Sequence, residues 1–333
     1  MKPYPLIFEP IFKEKVWGGR RLEHLGKALP PDVNVGESWE IADLASTSAD
    51  GAGGDAAHSM IVNGEMRGIS LRDAIRAMGP NLMGNVRMDE DGSFPLLIKF
   101  LDARENLSVQ VHPSEAYAAA NPDAHLKTES WYVLDAAPDA VIYKGVKPGV
   151  SAEQFAAHIK DDTVVDDMIA IPVTKGDVHH LPSGTCHALG EGVVIAEVQI
   201  PSDTTFRVYD WGRKGRALHV EQALQCIDFG PPEREEAIRS DGSHRSELVT
   251  TDYYVMTELR AMAEDEGDVD VGGASPVVWM VLEGAGRLSA KDESYESLDF
   301  EAGQTILLPA ALAASSCYVT RDLVVLEVSV PVG

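Results

Sequence analysis

The sequence predicts a mainly β protein made of two similar β-rich units, each a sandwich or a barrel, with short helices inserted in the first part. Two observations support this fold class. Short runs of β-branched and aromatic residues recur between Gly, Pro, Asp and Asn, among them FPLLIKFL, VVIAEVQI and LVVLEVSV. A set of motifs also occurs twice along the chain in the same order, which is typical of internally repeated folds.

The helical segments are identified by their capping residues and their spacing. Ser70 is a favourable N-cap for SLRDAIRAM, and Ser151 begins SAEQFAAHI with Gln154 in the position that completes a capping box. LHVEQALQCI, from Leu218, carries apolar residues at helical spacing, and SEAYAAANPDA has the character of a helical insert. All of these segments lie in the first part of the chain.

The internal repeat aligns three segments without a gap in any of them. GDVHHLPSGTCHA matches GQTILLPAALAAS, VVIAEVQ matches LVVLEVS, and ESWYVLD matches VVWMVLE. The aligned pairs are Gly176 with Gly303, Pro182 with Pro309, Trp131 with Trp279, and Glu197 with Glu327. Chance similarity between strands punctuated by Gly and Pro is the alternative, but three matches in one order favour a true repeat.

The two copies differ in their polar residues. His187 falls opposite Ala314, and Glu129 falls opposite Val277, so the second copy keeps the frame and loses the groups that could do chemistry. The polar segment FGPPEREEAIRSDGSH separates the copies. We therefore predict a catalytic, metal-binding domain at residues 1–230 and a degenerate second domain, without metal ligands, at residues 245–333.

Composition restricts the possible partners. The formal charge is 28 − 53 = −25, which argues against nucleic acid and anionic membranes, and an anionic substrate would need a locally positive pocket. The three cysteines, Cys186, Cys226 and Cys317, are too scattered for a disulfide framework. The N-terminus lacks the apolar core of a signal peptide, and no apolar run approaches the ~18 residues of a membrane helix. We predict a cytoplasmic protein and leave its oligomeric state open.

Two segments carry candidate ligands. In LSVQVHPSE, Gln110 and His112 share one face of a predicted strand and the apolar residues share the other. GDVHHLPSGTCH has the spacing G-x5-P-x-G-x2-H, ending at His187, and resembles the second signature of the cupin superfamily, small β-barrels whose interior often holds a metal. Gln110-Val111-His112 resembles the first signature with one His replaced. A single His is more often structural than a ligand, but together these residues favour a metal site.

Two further segments place basic and acidic residues on strand faces. Lys127, Glu129 and Trp131 alternate to one face in LKTESW. Arg207 lies within TTFRVYDW, and an arginine on an inward strand face is costly unless it meets an anion; its planar guanidinium fits a phosphate. The alternative for Arg207 is a structural ion pair with Asp203 or Asp210.

Six segments, in order, resemble class I mannose-6-phosphate isomerases in their short bacterial form. They are FEPIFKEKVWGGRRL, VGESWEIAD, LSVQVHP, LKTESWYVL, GDVHHLPSGTCHALG and SDTTFRVYDWGR. The match extends to about Leu218 and continues more loosely through the second copy. The resemblance implies two cupin-like β-barrel or jelly-roll units, one bound zinc ion, and interconversion of mannose 6-phosphate and fructose 6-phosphate through an enediol or enediolate.

The same resemblance implies the roles of individual residues. The family's metal ligands fall on Gln110, His112, Glu129 and His187, and its active-site arginine and lysine fall on Arg207 and Lys127. Two imidazoles, one carboxylate and one amide oxygen suit a divalent first-row ion. Longer members carry a His beside the lysine where this chain has Leu126, so a mechanism that relies on that His is not expected here.

Three other functions use the same features. Two His and one carboxylate also suit iron(II), as in a cupin dioxygenase, although the phosphate-suited Arg207 counts against it. A non-catalytic sugar-phosphate sensor could keep the fold, but intact Lys127 and Arg207 beside the ligands count against it. Isomerisation of a related aldose phosphate is also compatible with the sequence, because the contacts that distinguish the configuration at C2 cannot be placed from it.

Overall fold

The computed structural model describes residues 2–45, 56–88, 91–230, 237–269 and 273–332. Within these residues the strands are, in chain order, β1 (Leu6–Glu9), β2 (Ile11–Gly19), β3 (Val35–Ile41), β4 (Asp43–Leu44), β5 (Ala57–His58), β6 (Met60–Ile61), β7 (Leu97–Ala103), β8 (Val109–Val111), β9 (Glu129–Ala136), β10 (Val141–Val146), β11 (Met168–Pro172), β12 (Val178–Leu181), β13 (His187–Leu189), β14 (Val193–Gln199), β15 (Phe206–Tyr209), β16 (Arg245–Thr250), β17 (Val255–Ala261), β18 (Glu266–Val269), β19 (Val277–Ala290), β20 (Leu298–Glu301), β21 (Thr305–Leu308) and β22 (Ser315–Ser329). The α-helices are α1 (Leu71–Met78), α2 (Pro80–Met83), α3 (Glu115–Ala120), α4 (Ala152–Lys160) and α5 (Val220–Cys226). The prediction of a mainly β fold is confirmed.

The predicted helices form where their caps indicated. The Ser70 side chain accepts a hydrogen bond from the backbone N–H of Asp73 at the start of α1, and Ser151 does the same for Gln154 at the start of α4. The insert predicted as helical contains α3, which is capped by Ser114. In the part of the chain that the structure describes, no helix is both long and apolar enough to cross a membrane.

The first unit contains two antiparallel sheets that share one apolar core. One sheet has five strands in the order β11-β10-β13-β8-β15, and the other has six in the order β12-β9-β14-β7-β2-β3. Ile142 and Leu189 from the first sheet pack with Leu101, Val133 and Ile195 from the second. This arrangement of two sheets around a common core corresponds to the jelly-roll form of the predicted unit.

Strand β14 shows how the six-stranded sheet separates two environments. Val194, Ala196 and Val198 point to a large core on the outer side, whereas Ile195 points to the core between the two sheets. Because side chains alternate along a strand, Glu197 and Gln199 point the same way as Ile195. They reach the space between the sheets, where the candidate site lies.

The second unit is built around a nine-stranded sheet. Its main order is β16-β17-β22-β19-β21-β1-β6, with β18 on β22 and β20 on β19, so the N-terminal strand β1 pairs with β21 near the C-terminus. The large outer core joins the units, since Phe100 and Tyr132 from the first pack with Met280 and Leu326 from the second. The domain division at 1–230 and 245–333 stays a prediction, and residues 231–236 of the separating segment lie outside the described ranges.

The internal repeat extends to side-chain contacts. Trp131 donates from Nε1 to Glu197 Oε2 at 3.1 Å, and Trp279 donates in the same way to Glu327 Oε2 at 2.9 Å. Each Trp also lies directly opposite its Glu on the neighbouring strand. The two Trp–Glu pairs are those aligned in the sequence, so both units keep the same frame around a buried carboxylate.

Candidate functional site

The predicted ligands come together between the two sheets of the first unit. His187 begins β13 and lies opposite Gln110 of β8, while Arg207 of β15 lies opposite the same Gln110 from the other side. His112 follows β8 directly, and Glu129 begins β9 in the facing sheet. Strand pairing therefore aligns Arg207, Gln110 and His187 side by side, and the second sheet brings the carboxylate to meet them.

Two imidazoles converge on one carboxylate. His112 Nε2 lies 3.2 Å from Glu129 Oε2, and His187 Nε2 lies 3.3 Å from Glu129 Oε1. One ligand atom from each residue lies within 4.8 Å of the others, which is a separation that a single ion can bridge. All three residues are at most 2% exposed.

The outer ring nitrogens fix how each imidazole faces this cluster. His112 Nδ1 lies 3.1 Å from the carbonyl oxygen of Thr204, and His187 Nδ1 lies 2.8 Å from that of Thr185. A carbonyl can only accept, so each Nδ1 carries the proton and each Nε2 presents a lone pair to the cluster. This is the arrangement in which a histidine binds a metal.

Charge and burial keep the cluster in a metal-binding form. Burial and the Lys127 ammonium lower the pKa of His112 to about 3, and burial also lowers the pKa of His187. Burial alone raises the pKa of Glu129, but Lys127 and His112 outweigh it and hold that pKa well below its usual range. Near neutral pH the cluster therefore offers two neutral imidazoles and an ionised carboxylate.

Three inward-facing atoms of this cluster form no hydrogen bond within the described residues, although one of them, Glu129 Oε2, has the Lys127 ammonium 2.8 Å away. Among the described residues, none forms a hydrogen bond to His112 Nε2 or to either carboxylate oxygen of Glu129, although all are buried. Buried acceptors without partners are costly, and a cation satisfies them together. The donor set therefore fits a divalent metal ion.

Gln110 contributes an amide at the edge of the cluster. Its Nε2 lies 3.4 Å from His187 Nε2, and its Oε1 accepts a hydrogen bond from Ser108 at 3.2 Å. A half turn of the amide exchanges its oxygen and nitrogen and points Oε1 at the cluster without moving the rest of the side chain. Gln110 is thus in place to complete the donor set.

A cavity of about 90 Å³ opens beside the cluster. The basic residues that line it are Lys15, Lys99, Lys127, Arg207 and Arg216, and the acidic ones are Glu37, Glu129, Glu197 and Asp203. Five basic residues against four acidic ones is a strong local departure from a chain with 28 basic and 53 acidic residues. The lining residues carry one excess positive charge, which favours an anionic substrate over the strongly negative chain as a whole.

Lys127 and Arg207 both line this cavity and are both 4% exposed. Lys127 Nζ lies 2.8 Å from Glu129 Oε2. Arg207 donates from Nη1 to the carbonyl of Ala217 at 2.8 Å, which fixes one side of its guanidinium. Of the two structural partners considered for Arg207, Asp210 instead accepts from Arg213 and Arg216.

A buried charged network behind the ligands was missed in the sequence. Lys99 Nζ lies 2.9 Å from Glu197 Oε1, 2.7 Å from Gln199 Oε1 and 3.6 Å from Glu37 Oε2. Lys15 Nζ pairs with Glu37 Oε1 at 3.1 Å. The available signal was the presence of charged residues within the strand-like runs VGESWEI, LIKFL and VVIAEVQI, since a buried charge needs a partner.

Comparison with known proteins identifies the family to which this chain is similar. The family model for the catalytic domain of type I phosphomannose isomerase matches residues 6–142. A mannose-6-phosphate isomerase from Streptococcus mutans is 34% identical over 314 residues, covering 92% of each chain. The Bacillus subtilis mannose-6-phosphate isomerase ManA is 31% identical over 326 residues, covering 94% of this chain and 95% of its own.

Solved structures extend the likeness to the whole fold. The crystal structure of a Bacillus subtilis mannose 6-phosphate isomerase matches with a TM-score of 0.82 and 28% identity, covering 97% of this chain and 99% of that one. A mannose 6-phosphate isomerase bound with zinc and yttrium shares the fold at a TM-score of 0.74 and 18% identity, covering 98% and 99%. With relatives above 30% identity along nearly its whole length, this chain belongs to the type I mannose-6-phosphate isomerase family.

Proposed function

We propose that this chain interconverts mannose 6-phosphate and fructose 6-phosphate at the site between the two sheets, with one zinc ion bound there. The proposed metal ligands are Gln110, His112, Glu129 and His187, and the proposed catalytic residues are Lys127 and Arg207. The observation that carries this assignment is the convergence of two imidazole Nε2 atoms on the Glu129 carboxylate, with no hydrogen-bond partner for His112 Nε2 or the carboxylate oxygens among the described residues.

The reaction sets the tasks that the residues perform. The sugar ring opens, and a proton then moves between C2 and C1 through an enediol or enediolate, so negative charge develops on the neighbouring oxygens. Of the four proposed ligands only Glu129 is anionic, so these residues would hold a divalent ion with about one net positive charge, and the ion would supply stabilisation of that developing charge. Lys127, whose ammonium faces the cavity, can exchange a proton with a substrate oxygen during ring opening.

Arg207 supplies the second cation of the proposed mechanism. Its guanidinium can donate hydrogen bonds in one plane to two oxygens of a phosphate or of an enediolate, which an ammonium cannot. The bond to Ala217 orients the group toward the cavity, where it can anchor the phosphate or stabilise the enediolate. Leu126 beside Lys127 has no ionisable group, so proton transfer at this position does not involve a neighbouring His.

Removal of the metal tests this proposal directly. Treatment with a chelator should reduce isomerase activity to background, because the developing charge then lacks its main stabilisation, and zinc added after removal of the chelator should restore it. The measurement is a coupled assay of fructose 6-phosphate formation, with metal content determined for the same samples. Full activity in protein shown to be metal-free would refute the metal assignment.

A panel of aldose 6-phosphates, run with and without chelator, tests the substrate. We expect mannose 6-phosphate to have the highest kcat/KM; a higher value for another aldose phosphate would move the assignment to that sugar. Oxygen uptake with iron(II) in place of zinc would indicate the dioxygenase alternative instead. We also propose a cytoplasmic location, supported by Cys186, Cys226 and Cys317, which are all buried free thiols.

A further inference from the structure

Gln199 is a fully buried amide at the end of β14, directly behind the candidate metal cluster. It lies opposite Glu129 on the neighbouring strand β9, and it is 0% exposed. Side chains of directly opposite residues project from the same face of a sheet, so Gln199 faces the same space as the proposed ligand Glu129. The family motifs recognised in the sequence do not single out this residue.

The hydrogen bonds of Gln199 fix the orientation of its amide. Oε1 accepts from Lys99 Nζ at 2.7 Å, while Nε2 donates to the carbonyl of Ile200 at 2.9 Å and to that of Ser202. The reversed amide would place its NH2 against an ammonium and its oxygen against two carbonyls. Both donors and the acceptor are therefore engaged, and the side chain links the Lys99 ammonium to the backbone after β14.

One of these groups faces the cavity, and the other orients a ligand. Lys99 lines the cavity. The loop between β14 and β15 contains Ser202 and Thr204. The Ser202 hydroxyl accepts a hydrogen bond from the N–H of Thr204 at 3.3 Å. This bond connects Ser202 to the residue that carries the Thr204 carbonyl. That carbonyl lies 3.1 Å from His112 Nδ1 and so sets the direction of the imidazole. A displacement of this loop would turn His112 away from Glu129.

Comparison with the second unit supports a role for Gln199 at the candidate metal site rather than in the strand framework that both units share. The second unit keeps the Trp–Glu pair. On the other side of Glu327, however, the opposite residue on strand β17 is Thr257, whereas in the first unit Lys99 on strand β7 lies opposite Glu197. Two residues after Glu327 comes Ser329, in the place of Gln199. The unit that lacks the candidate ligands therefore lacks both partners of the Lys99–Gln199 bond as well.

We propose that Gln199 is a positioning residue that couples the cavity-facing Lys99 to the loop that orients His112. The inference rests on the proposed metal site. The Gln199 amide holds the Ser202 carbonyl, two residues before the Thr204 carbonyl, at a fixed separation from the Lys99 ammonium, so that the imidazole and the cavity cation keep their places relative to the Glu129 carboxylate. Removing a hydrogen bond made directly to a metal ligand, such as that between His112 and Thr204, typically changes metal affinity or activity by about 10- to 100-fold, and Gln199 acts on this bond through the loop.

Two substitutions separate the two connections. Gln199→Met keeps the length of the side chain and removes all three hydrogen bonds. Gln199→Glu keeps an acceptor for Lys99 but replaces the donors to the loop with a second oxygen. Gln225→Met is the control, because Gln225 is exposed on α5 and, among the described residues, its side chain bonds only to the Glu221 carbonyl one turn earlier. Zinc affinity is measured by competition with a chelator, alongside kcat, KM and thermal unfolding.

We expect zinc affinity to fall about tenfold or more in both Gln199 variants and to stay unchanged in Gln225→Met. At saturating zinc, Gln199→Glu should keep a higher kcat than Gln199→Met, since only the former retains the acceptor for Lys99. Unchanged zinc affinity in folded Gln199→Met, even with a lower melting temperature, would overturn the inference. If Gln199→Met does not fold, unchanged affinity in Gln199→Glu overturns it equally. Failure of the wild type to bind zinc would refute the metal site itself.

Discussion

Replacing His187 with alanine should remove the bound metal and reduce isomerase activity to background. His187 is 1% exposed, and its Nε2 lies 3.3 Å from the Glu129 carboxylate, so no other described side chain can take over its position without a large rearrangement. Loss of a hydrogen bond to a metal ligand typically weakens metal binding by about 10- to 100-fold. Loss of a direct ligand should weaken zinc binding by more than this. Metal content after dialysis and activity at fixed zinc are the two measurements.

The internal repeat provides a paired control for His187→Ala. This substitution gives the first unit the residue that the second unit has at the aligned position, Ala314. The reverse change, Ala314→His, should create no second metal site, because the second unit has Val277 where the first has Glu129 and lacks counterparts of the other ligands. Full zinc occupancy in folded His187→Ala would reject His187 as a ligand.

Local sequence patterns were sufficient for the parts of the site held on single strands. The spacing of Gln110 and His112 follows from the alternation of a strand, and His187 follows from a spacing signature with its turn glycine and proline. The repeat predicted that Trp131 and Glu197 have counterparts, and both pairs are hydrogen-bonded in the structure. These features depend on residues a few positions apart or on direct self-similarity of the chain.

Contacts between distant strands could not be derived in this way. Glu129 is separated from His112 by the segment that contains α3, so its proposed role as a ligand followed only from the family resemblance. Lys99 meets Glu37 and Glu197 across three strands, and their pairing depends on strand order rather than on any local spacing. Periodicity gives the face of a side chain, but not which strand lies beside it.

The N-terminal strand illustrates the same limit at the level of the fold. β1 is hydrogen-bonded to β21, with Leu6 opposite Leu307, although about 300 residues separate them along the chain. The strand pattern of LIFE was compatible with any exposed sheet edge, and nothing in its composition indicated the second unit. Pairings of this kind depend on the loop entropy and packing of the whole chain, and they cannot be deduced from the sequence of a single segment.

Arg207→Lys should reduce isomerase activity by about 100-fold while leaving the protein folded. Lysine keeps the charge but loses the planar pair of donors that can hold two oxygens at once. The bond from Arg207 to the Ala217 carbonyl at 2.8 Å is also lost, at a cost of about 1 kcal/mol in the free energy of unfolding. We therefore expect a melting temperature lowered by only a few degrees, about 2–4 °C.

The kinetic parameters distinguish the two roles proposed for Arg207. If its guanidinium stabilises the enediolate, kcat and kcat/KM should fall together; if it anchors the phosphate, KM should rise with little change in kcat. Arg213→Lys is the matched control, since Arg213 pairs with Asp210 at 2.9 Å and donates to the carbonyl of Asn106. That variant should lower the melting temperature without a comparable loss of kcat.

The structural alternative for Arg207 predicts the opposite pattern. An ion pair with Asp203, which lines the same cavity, would make Arg207 chiefly a stabilising residue, and breaking a buried pair with Arg207→Ala costs about 3–5 kcal/mol. Such a variant would melt early, while the fraction that stays folded would turn over substrate normally. A destabilised enzyme with unchanged kcat and KM would remove Arg207 from the catalytic site. Because Arg207 is the proposed anchor or enediolate partner, that result would also leave Lys127 as the only proposed catalytic side chain.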